Sequence, residues 1–189
     1  MIYIIRHGQT QLNKANVLQG RRDTPLNETG RQQASQAAEW FRSRGIHFDY
    51  VFSSPLERAM DTAKICCDYI EPVQDERLIE MDYGPYEGAD LRNPAPEITE
   101  FFSDFVNNPA PAGMEQLADV VGRTGEFLEE IKNLEGNILI STHAIAMKGI
   151  LEYLTPLAKG FYWSKYIGNC SVYCAENSAD GYTVPQEIR

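Results

Sequence analysis

Histidine and arginine side chains lie at the ends of three short apolar segments of the chain. Arg6 and His7 follow the first segment, Arg58 lies just beyond the second, and His143 follows the third. Two imidazoles and two guanidinium groups gathered in one crevice would bind a dianionic phosphoryl group, because the arginine fork matches phosphate oxygens. A histidine held beside such cations stays neutral at about pH 7, so a ring nitrogen can attack phosphorus. The pattern therefore predicts phosphoryl-transfer chemistry.

Each of these residues also has an ordinary structural explanation when it is taken alone. A single histidine after a strand is more often a hydrogen-bonding residue than a catalytic one, and Arg58 alone would be a solvated helix residue. Arg6 is harder to explain in this way, because an arginine at the mouth of a buried strand needs an anionic partner. All four residues lie at or just beyond the ends of predicted strands, and this shared position favours a common phosphoryl-binding site.

Apolar segments that alternate with amphipathic ones predict the elements that would hold this site. Strands are predicted at 2–5, 50–52, 72–78, 137–141, 171–174 and 182–184. Helices are predicted at about 28–44, near 98–106, along 117–134 and from 143 to about 153. A capping box at Ser54-Pro55-Leu56-Glu57 is predicted to start the helix that carries Arg58. The alternation predicts a three-layer α/β/α fold with a mostly parallel central sheet, whose strand ends form the ligand crevice.

A proline- and glycine-rich stretch interrupts the alternation at about 82–113. We predict an irregular insertion over the active site there, within a single domain that spans residues 1–189. Its aromatic residues would roof the pocket and suit a leaving group with an apolar portion, or they would pack against the sheet. These residues are Tyr83, Tyr86, Phe101, Phe102 and Phe105.

The composition limits the partners and cofactors of the chain. Seventeen lysine and arginine residues against 27 aspartates and glutamates give a net charge of −10, which argues against nucleic acid and membrane surfaces as partners. Four cysteines without a CxxC pattern indicate reduced thiols, and the three histidines lack the spacing of metal ligands. No leader and no apolar run of about 18 residues is present. We therefore expect a cytoplasmic protein without a metal or other cofactor.

Several sequence blocks resemble one known family. Arg6-His7-Gly8, with Asn13 after it, resembles the signature of the histidine phosphatase superfamily, which contains cofactor-dependent phosphoglycerate mutases and many small phosphatases. Leu18-Gln19-Gly20, the segment 53–59 and the segment 77–88 are similar to further blocks of that family, and Thr142-His143 completes the series. The blocks span about residues 2–150 in the family's order. The resemblance implies a phosphoglycerate mutase-like fold.

The resemblance also implies a role for eight residues. His7 would be the nucleophile that forms a phosphohistidine, and Glu80 would protonate the leaving group and later take a proton from water. The groups that would bind the transferring phosphoryl group are Arg6, Arg58 and His143. The positions that match substrate or phosphate contacts are Asn13, Gln19 and Gly20. By charge alone Glu76, Asp82 or Glu87 could serve in place of Glu80, or all could form a solvated face.

Phosphatases and mutases of this family share these motifs. The family's mutases carry an arginine pair in a longer insertion, whereas only Arg92, Arg123 and Lys132, none of them paired, lie between Glu80 and His143. We therefore expect a metal-independent phosphatase that hydrolyses a small organic phosphomonoester, with a small phosphorylated metabolite as its partner. A mutase is the alternative. A phospho-ligand-binding protein of weak activity is a third possibility, which the intact catalytic set argues against.

Two further features near the motifs allow more than one interpretation. Arg21 and Arg22 could contact an anionic substrate tail, although an exposed arginine pair is more often solvated. Ala144 stands where the family often has glycine, so less room is left for close backbone approach beside His143.

Overall fold

A six-stranded sheet forms the centre of the computed structural model, which describes residues 1–68, 70–178 and 181–189. The strands are β1 (Ile2–Arg6), β2 (Tyr50–Ser53), β3 (Val73–Gln74), β4 (Ile138–Thr142), β5 (Val172–Ala175), β6 (Asn177–Ser178), β7 (Gly181–Tyr182) and β8 (Gln186–Glu187). Across the sheet they follow the order β3-β2-β4-β1-β5-β8, and β6 and β7 form a separate hairpin. Strands β1 to β4 run parallel, whereas β5 and β8 run antiparallel to their neighbours.

Helices cover both faces of this sheet. They are α1 (Gln11–Lys14), α2 (Glu28–Ser43), α3 (Glu57–Cys66), α4 (Pro96–Ser103), α5 (Leu117–Ile131) and α6 (Ala144–Leu154). Ile2 and Ile4 enter a core with residues of α5 and α6, while Tyr3 and Ile5 enter a second core with residues of α2 and α3. Because alternate strand residues point to opposite faces, the two cores lie on the two sides of the sheet. The predicted three-layer α/β/α fold is confirmed. In the described parts of the chain, every helix is too short or too polar to cross a membrane.

Helix α3 begins later than the predicted capping box. The backbone enters the helix at Leu56, whose side chain cannot cap it. The hydroxyl of Ser54, the predicted cap, instead lies 2.7 Å from Nε2 of His143 and accepts from the N–H of Leu56 at 3.3 Å. The capping-box prediction is therefore wrong, because a tertiary contact with His143 uses the serine side chain.

Two predicted strands also differ from the structure. The strand predicted at 72–78 is confined to β3, because the Asp75 carboxylate accepts from the N–H of Arg77 at 2.8 Å and starts a 3-10 turn at Glu76–Leu78. The strand predicted at 182–184 does not join the sheet. Its first residue lies in β7, which pairs with β6, and β8 forms the sheet edge instead.

The segment 82–113 contains a 3-10 turn at Gly84–Tyr86 and helix α4, which begins and ends slightly earlier than predicted. Gly84 has a φ of +51°, and a β-carbon on it would lie 2.0 Å from the carbonyl oxygen of Gly113. Glycine is required where the two ends of the segment meet this closely. The two ends of the segment 82–113 are thus in direct contact.

Candidate active site

A cavity of about 300 Å³ opens where β1, β2 and β4 end. Arg6 pairs with Thr142 and Ser53 with Ser141, so the carboxyl ends of the three parallel strands are level. The sequence-predicted residues that line the cavity are Arg6, His7, Asn13, Gln19, Gly20, Arg58 and Glu80. The ring of His143 lies against that of His7, with 5.1 Å between the ring centroids. The fold thus gathers residues that are far apart in sequence.

His7 is buried and held in one tautomer. Its Nδ1 lies 2.7 Å from the carbonyl oxygen of Gly8, to which it donates, so the lone pair is on Nε2. The Nε–H of Arg58 points at this Nε2 from 3.3 Å. Burial, followed by the charges of Arg58 and Arg6, lowers the pKa of His7 well below its usual value of 6.5. The imidazole is therefore neutral at physiological pH, as a nucleophile must be.

Ser54 sets the tautomer of His143. The serine oxygen accepts from the N–H of Leu56, and Nε2 of His143 is the one acceptor within reach of its proton among the described residues, so we assign that proton to Nε2. The histidine proton then resides on Nδ1, which is buried and has no partner among the described residues. Burial, followed by the charge of Arg58, lowers the pKa of His143 well below 6.5. His143 is thus a neutral donor without an acceptor.

Backbone carbonyls, rather than carboxylates, hold the two arginines. Arg58 donates to the carbonyls of Arg22 at 2.8 Å and Gly20 at 2.7 Å, and Arg6 donates through Nη1 to the carbonyl of Ile167. The Nε of Arg6 is buried and has no partner among the described residues. Burial lowers the pKa of both guanidinium groups from 12.5, although an arginine in a protein keeps its charge. Their positive charge is left for a ligand.

Glu80 lies at the N-terminus of α6, where backbone N–H groups hold its carboxylate. Oε1 accepts from Met81 at 2.9 Å, Ile145 at 3.1 Å and Ala146 at 3.0 Å. Oε2 accepts only from Ile145, at 3.3 Å. Because Oε1 already has three donors, Oε2 is the oxygen that can exchange a proton with a ligand. Ala144 also lines the cavity at this helix end.

The other nearby carboxylates have structural roles outside the cavity. Asp82 forms an ion pair with Arg21 at 3.4 Å and accepts from the N–H of Gly84 at 2.7 Å. Glu87 accepts from the N–H of Arg21 at 2.6 Å. Neither of them lines the cavity, and neither does Glu76. Among these four acidic residues, the structure brings only Glu80 to the site.

Asn13 and Gln19 present amide groups to the cavity. The oxygen of Asn13 accepts from the N–H of Thr10 at 3.1 Å, and the oxygen of Gln19 accepts from the hydroxyls of Thr10 at 2.9 Å and Thr24 at 2.7 Å. Both amide nitrogens are thereby left as donors. Gly20 has a φ of +56°, which strains any larger residue, and a β-carbon on it would lie 2.1 Å from the carboxylate of Glu87 and would displace it.

The predicted aromatic roof forms only in part. Tyr83, Phe102 and Phe105 line the cavity. Phe101 is buried in a third apolar core beneath them, and Tyr86 bonds to the carboxylate of Glu97 at 3.3 Å. Three rings thus line the cavity as the roof alternative predicts, whereas Phe101 packs with Val120 of α5 and Ile145 of α6 and not against the sheet.

Five other basic residues that sequence analysis considered do not line the cavity: Arg21, Arg22, Arg92, Arg123 and Lys132. Arg21 pairs with Glu115 as well as Asp82, and the Nη2 of Arg22 donates to the carbonyl of Glu87 at 2.9 Å. Arg92 pairs with Asp90, Arg123 with Glu115, and Lys132 with Glu129. The side chains of these five residues are thus engaged by partners outside the cavity.

Two lysines that sequence analysis missed do line the cavity. Lys148 projects from α6, and Lys165 comes from the irregular segment before β5. A lysine inside the apolar sequence of α6 is a signal that sequence analysis could have used. Lys165 follows no periodic pattern, so nothing in the sequence marks it.

Among the described residues, no group of three or more His, Cys, Asp or Glu side chains is placed to hold a metal ion. The cationic side chains that line the cavity are those of Arg6, Arg58, Lys148 and Lys165. Together they form a pocket that can take an anion and can place it next to a neutral imidazole.

Comparisons with known proteins agree with this chemistry. Residues 2–186 match the histidine phosphatase superfamily (branch 1). A broad-specificity phosphatase of Saccharomyces cerevisiae is 32% identical over 160 residues, which cover 81% of this chain and 69% of the yeast protein. Phosphoserine phosphatase 1 of Hydrogenobacter thermophilus is 28% identical over 177 residues, which cover 90% and 83%. The structure of a mycobacterial glucosyl-3-phosphoglycerate phosphatase with VO3 has a TM-score of 0.82 at 28% identity, covering 93% and 92%.

Proposed function

The chain belongs to the histidine phosphatase superfamily, and on that premise we propose that it hydrolyses a small organic phosphomonoester through a phosphohistidine on His7. The observation that carries the proposal is a set of buried donors without acceptors around a neutral imidazole. Arg6 Nε and His143 Nδ1 have no partner among the described residues, and both surround His7. A phosphoryl group supplies the oxygen acceptors that these donors lack.

The first half-reaction transfers the phosphoryl group to the enzyme. The Nε2 lone pair of His7 forms a bond to phosphorus while the ester P–O bond breaks. Glu80, protonated for this step, gives its proton to the departing oxygen and an alcohol leaves. Arg6, Arg58 and His143 stabilise the charge on the equatorial phosphoryl oxygens.

The second half-reaction restores the enzyme. The Glu80 carboxylate takes a proton from water, and the resulting oxygen nucleophile attacks phosphorus as the N–P bond breaks. Inorganic phosphate leaves, and Glu80 is again protonated. The arginines supply the positive charge that a metal ion supplies at other phosphoryl-transfer sites, so the proposed reaction is independent of metal.

The named activities of the relatives support a phosphomonoesterase. A broad-specificity phosphatase and a phosphoserine phosphatase share most of their length with this chain, and the structural neighbour acts on glucosyl-3-phosphoglycerate. We therefore assign a small phosphorylated metabolite as the substrate.

Mutase activity is the second candidate, and one observation favours it. A mutase must hold a second anionic end of its substrate, and Lys148 and Lys165 are cations in the cavity that could do so. Against it, Arg92 and Arg123 are engaged by acidic partners away from the cavity. We place hydrolysis first.

The decisive experiment measures inorganic phosphate released from a panel of phosphomonoesters, with isomerisation of 3-phosphoglycerate assayed in parallel. Rapid quenching should trap phosphate on the protein in an acid-labile, base-stable form. His7→Asn should abolish both signals, whereas His47→Asn, at an exposed histidine, should change neither. An acid-stable phosphoenzyme, or turnover by His7→Asn, would contradict the proposal, and isomerisation with little phosphate release would favour the mutase.

A further inference from the structure

Two side chains hold the peptide group that joins His7 to Gly8. The N–H of this peptide, which belongs to Gly8, donates to the hydroxyl of Thr62 at 3.1 Å. Its carbonyl, which belongs to His7, accepts from the amide nitrogen of Asn169 at 2.9 Å. Because β1 ends at Arg6, these side chains take the place that a neighbouring strand has within the sheet. The backbone of the proposed nucleophile is thus held from two sides.

Thr62 is oriented for this contact by its own helix. It lies in α3, one turn beyond Arg58, and its side chain is buried. Its hydroxyl donates to the carbonyl of Arg58 at 2.7 Å, so the serine-like proton is used there and the oxygen faces Gly8 as an acceptor. One hydroxyl therefore joins the loop of the nucleophile to the backbone of the arginine that lies beside it.

Asn169 approaches the same peptide from the irregular segment before β5. Its amide nitrogen lies 2.9 Å from the carbonyl oxygen of His7 and 3.5 Å from Oδ1 of Asn13, which lines the cavity. Two residues earlier, the carbonyl of Ile167 holds the guanidinium of Arg6. This segment thus contacts the nucleophile as well as two residues that line the cavity.

The orientation of the His7 ring depends on this peptide. Nδ1 of the ring donates to the carbonyl of Gly8 at 2.7 Å, so the ring follows the backbone at Gly8. The other hydrogen bond that the structure describes at the ring joins Nε2 to the Nε–H of Arg58. That bond is given up when the Nε2 lone pair attacks phosphorus, whereas the bonds from Thr62 and Asn169 use backbone groups and persist.

We propose that Thr62 and Asn169 are positioning residues, which hold the peptide between His7 and Gly8 so that Nε2 points at phosphorus in both half-reactions. This inference rests on the proposed phosphatase function. Neither residue lines the cavity, and backbone carbonyls elsewhere hold the two arginines of the site. The two residues therefore act on the direction of the nucleophile and not on the affinity for the phosphoryl group.

Substitutions of equal shape test the role of the Thr62 hydroxyl. Thr62→Val removes the hydroxyl and leaves the N–H of Gly8 without its acceptor, whereas Thr62→Ser keeps the hydroxyl. Rapid quenching with nitrophenyl phosphate measures the single-turnover rate at which phosphohistidine forms. This rate should fall ~10- to 100-fold in Thr62→Val, because a nucleophile displaced by about 1 Å loses up to about 10²-fold. In Thr62→Ser it should fall less than ~3-fold.

Thr124→Val is the matched control for Thr62→Val. Thr124 is also buried in a helix, and its hydroxyl donates to the carbonyl four residues earlier, that of Val120, at 2.8 Å. It lies in α5 and does not line the cavity. The control should therefore change the rate less than ~3-fold. A wild-type rate in Thr62→Val, or a loss in Thr62→Ser as large as in Thr62→Val, would overturn the role of the hydroxyl.

Two anions separate the direction of the nucleophile from general damage to the pocket. Orthovanadate imitates the transition state when vanadium takes Nε2 of His7 as a fifth ligand, whereas inorganic phosphate needs only the donors around it. In Thr62→Val the Kd of orthovanadate should rise ~10- to 100-fold, as the rate falls, and the Kd of phosphate should change less than ~3-fold. Equal weakening of both anions would overturn the inference, because a merely structural role affects both.

Asn169→Leu tests the second contact, and it decides the inference by itself if Thr62→Val does not fold. Leucine matches asparagine in shape but cannot donate to the carbonyl of His7. The Kd of orthovanadate should rise ~3- to 10-fold, the worth of one neutral hydrogen bond, without a change in the Kd of phosphate. In the matched control, Asn137→Leu, the lost amide donates at 2.8 Å to the carbonyl of His47, so both Kd values should stay unchanged. Equal weakening of both anions in Asn169→Leu, or none, would overturn the role of Asn169.

Binding is measured apart from turnover, so that the two proposals can fail separately. If the wild-type protein releases phosphate from no ester, the phosphatase proposal fails. The Kd values of orthovanadate and phosphate then still test the positioning residues. A preference for orthovanadate that Thr62→Val or Asn169→Leu reduces supports the inference. A preference that persists in both variants, or a wild-type protein without one, contradicts it.

Discussion

Replacement of Glu80 by glutamine separates its proposed chemical role from its structural one. Glutamine retains an Oε1 that can accept from Met81, Ile145 and Ala146, and it loses the negative charge and the weak contact at Oε2. The lost interaction with the helix N-terminus costs about 1 kcal/mol of unfolding free energy, which lowers Tm by about 2–4 °C in a chain of this size. The variant should therefore fold.

Turnover should fall far more than stability. A positioned general acid contributes ~10²- to 10⁴-fold, or about 3–5 kcal/mol of activation free energy, so hydrolysis of an alkyl phosphate by Glu80→Gln should slow by that factor. A nitrophenyl phosphate should behave differently, because nitrophenolate leaves without a proton. Stopped-flow mixing should then show a burst of nitrophenol, followed by slow turnover and accumulation of phosphoenzyme.

Glu87→Gln is the matched control for this experiment. Glu87 carries the same side chain near Glu80 but holds the N–H of Arg21 outside the cavity. The Glu87→Gln variant should lower the free energy of unfolding, but its turnover of the alkyl phosphate and of the nitrophenyl phosphate should change by the same factor. If Glu80→Gln slows both substrates equally and gives no burst, the carboxylate orients the pocket and does not transfer protons.

Three further predictions follow from the geometry of the site. Ser54→Ala removes the hydroxyl that contacts His143, so kcat/KM should fall by roughly 3- to 10-fold, the worth of one neutral hydrogen bond. The control variant Ser53→Ala, whose hydroxyl donates to the carbonyl of Ser54, should lower kcat/KM less. Equal losses in the two variants would refute the role of the Ser54 contact. Activity should survive exhaustive treatment with EDTA, and loss with rescue by a divalent metal would contradict the proposed mechanism. The pKa values of His7 and His143 are lowered in the folded protein, so below pH 6.5 the unfolded chain binds protons that the folded protein does not. Each histidine should therefore lower the free energy of unfolding by up to about 1.4 kcal/mol for each pH unit below 6.5. Denaturant titrations that show constant stability from pH 6.5 to about pH 5 would refute the burial of neutral imidazoles.

The main sheet and its helices were predictable because their residues alternate in clear patterns. The apolar strands at β1, β2 and β4 and the amphipathic helices α2 and α5 have enough length for their periods to be recognised. Short elements were not predictable in this way. A side-chain cap at Asp75 ends β3 after two residues, and a tertiary contact removes Ser54 from its capping position. The Asp75 contact spans only two residues and belongs to a common turn type, whereas the Ser54 contact joins residues 89 positions apart and has no local signature.

The site was predictable to the extent that it lies at strand ends. Arg6, Arg58 and His143 follow apolar strands, and the fold brings them to His7. In the sequence, only the family resemblance distinguished Glu80 from the neighbouring carboxylates. In the structure, Glu80 differs from them because its carboxylate accepts hydrogen bonds at the N-terminus of α6, which is a tertiary contact. Lys148 was missed although its place within the apolar sequence of α6 marks it, whereas Lys165 lies in an irregular segment without a pattern.

The central position of β1 has a consequence for biosynthesis. The first strand of this sequence pairs with β4 on one side and β5 on the other, so Ile2 meets Ile138 and Ala175. While a ribosome produces the intervening residues, both edges of β1 lack their partners, and unpaired apolar edges invite aggregation. Arg6 likewise lacks its hydrogen-bond acceptor until Ile167 has been synthesised. The phosphate pocket therefore forms only after nearly the whole sequence has been translated, and chaperones that shield the nascent chain should raise the yield of active enzyme.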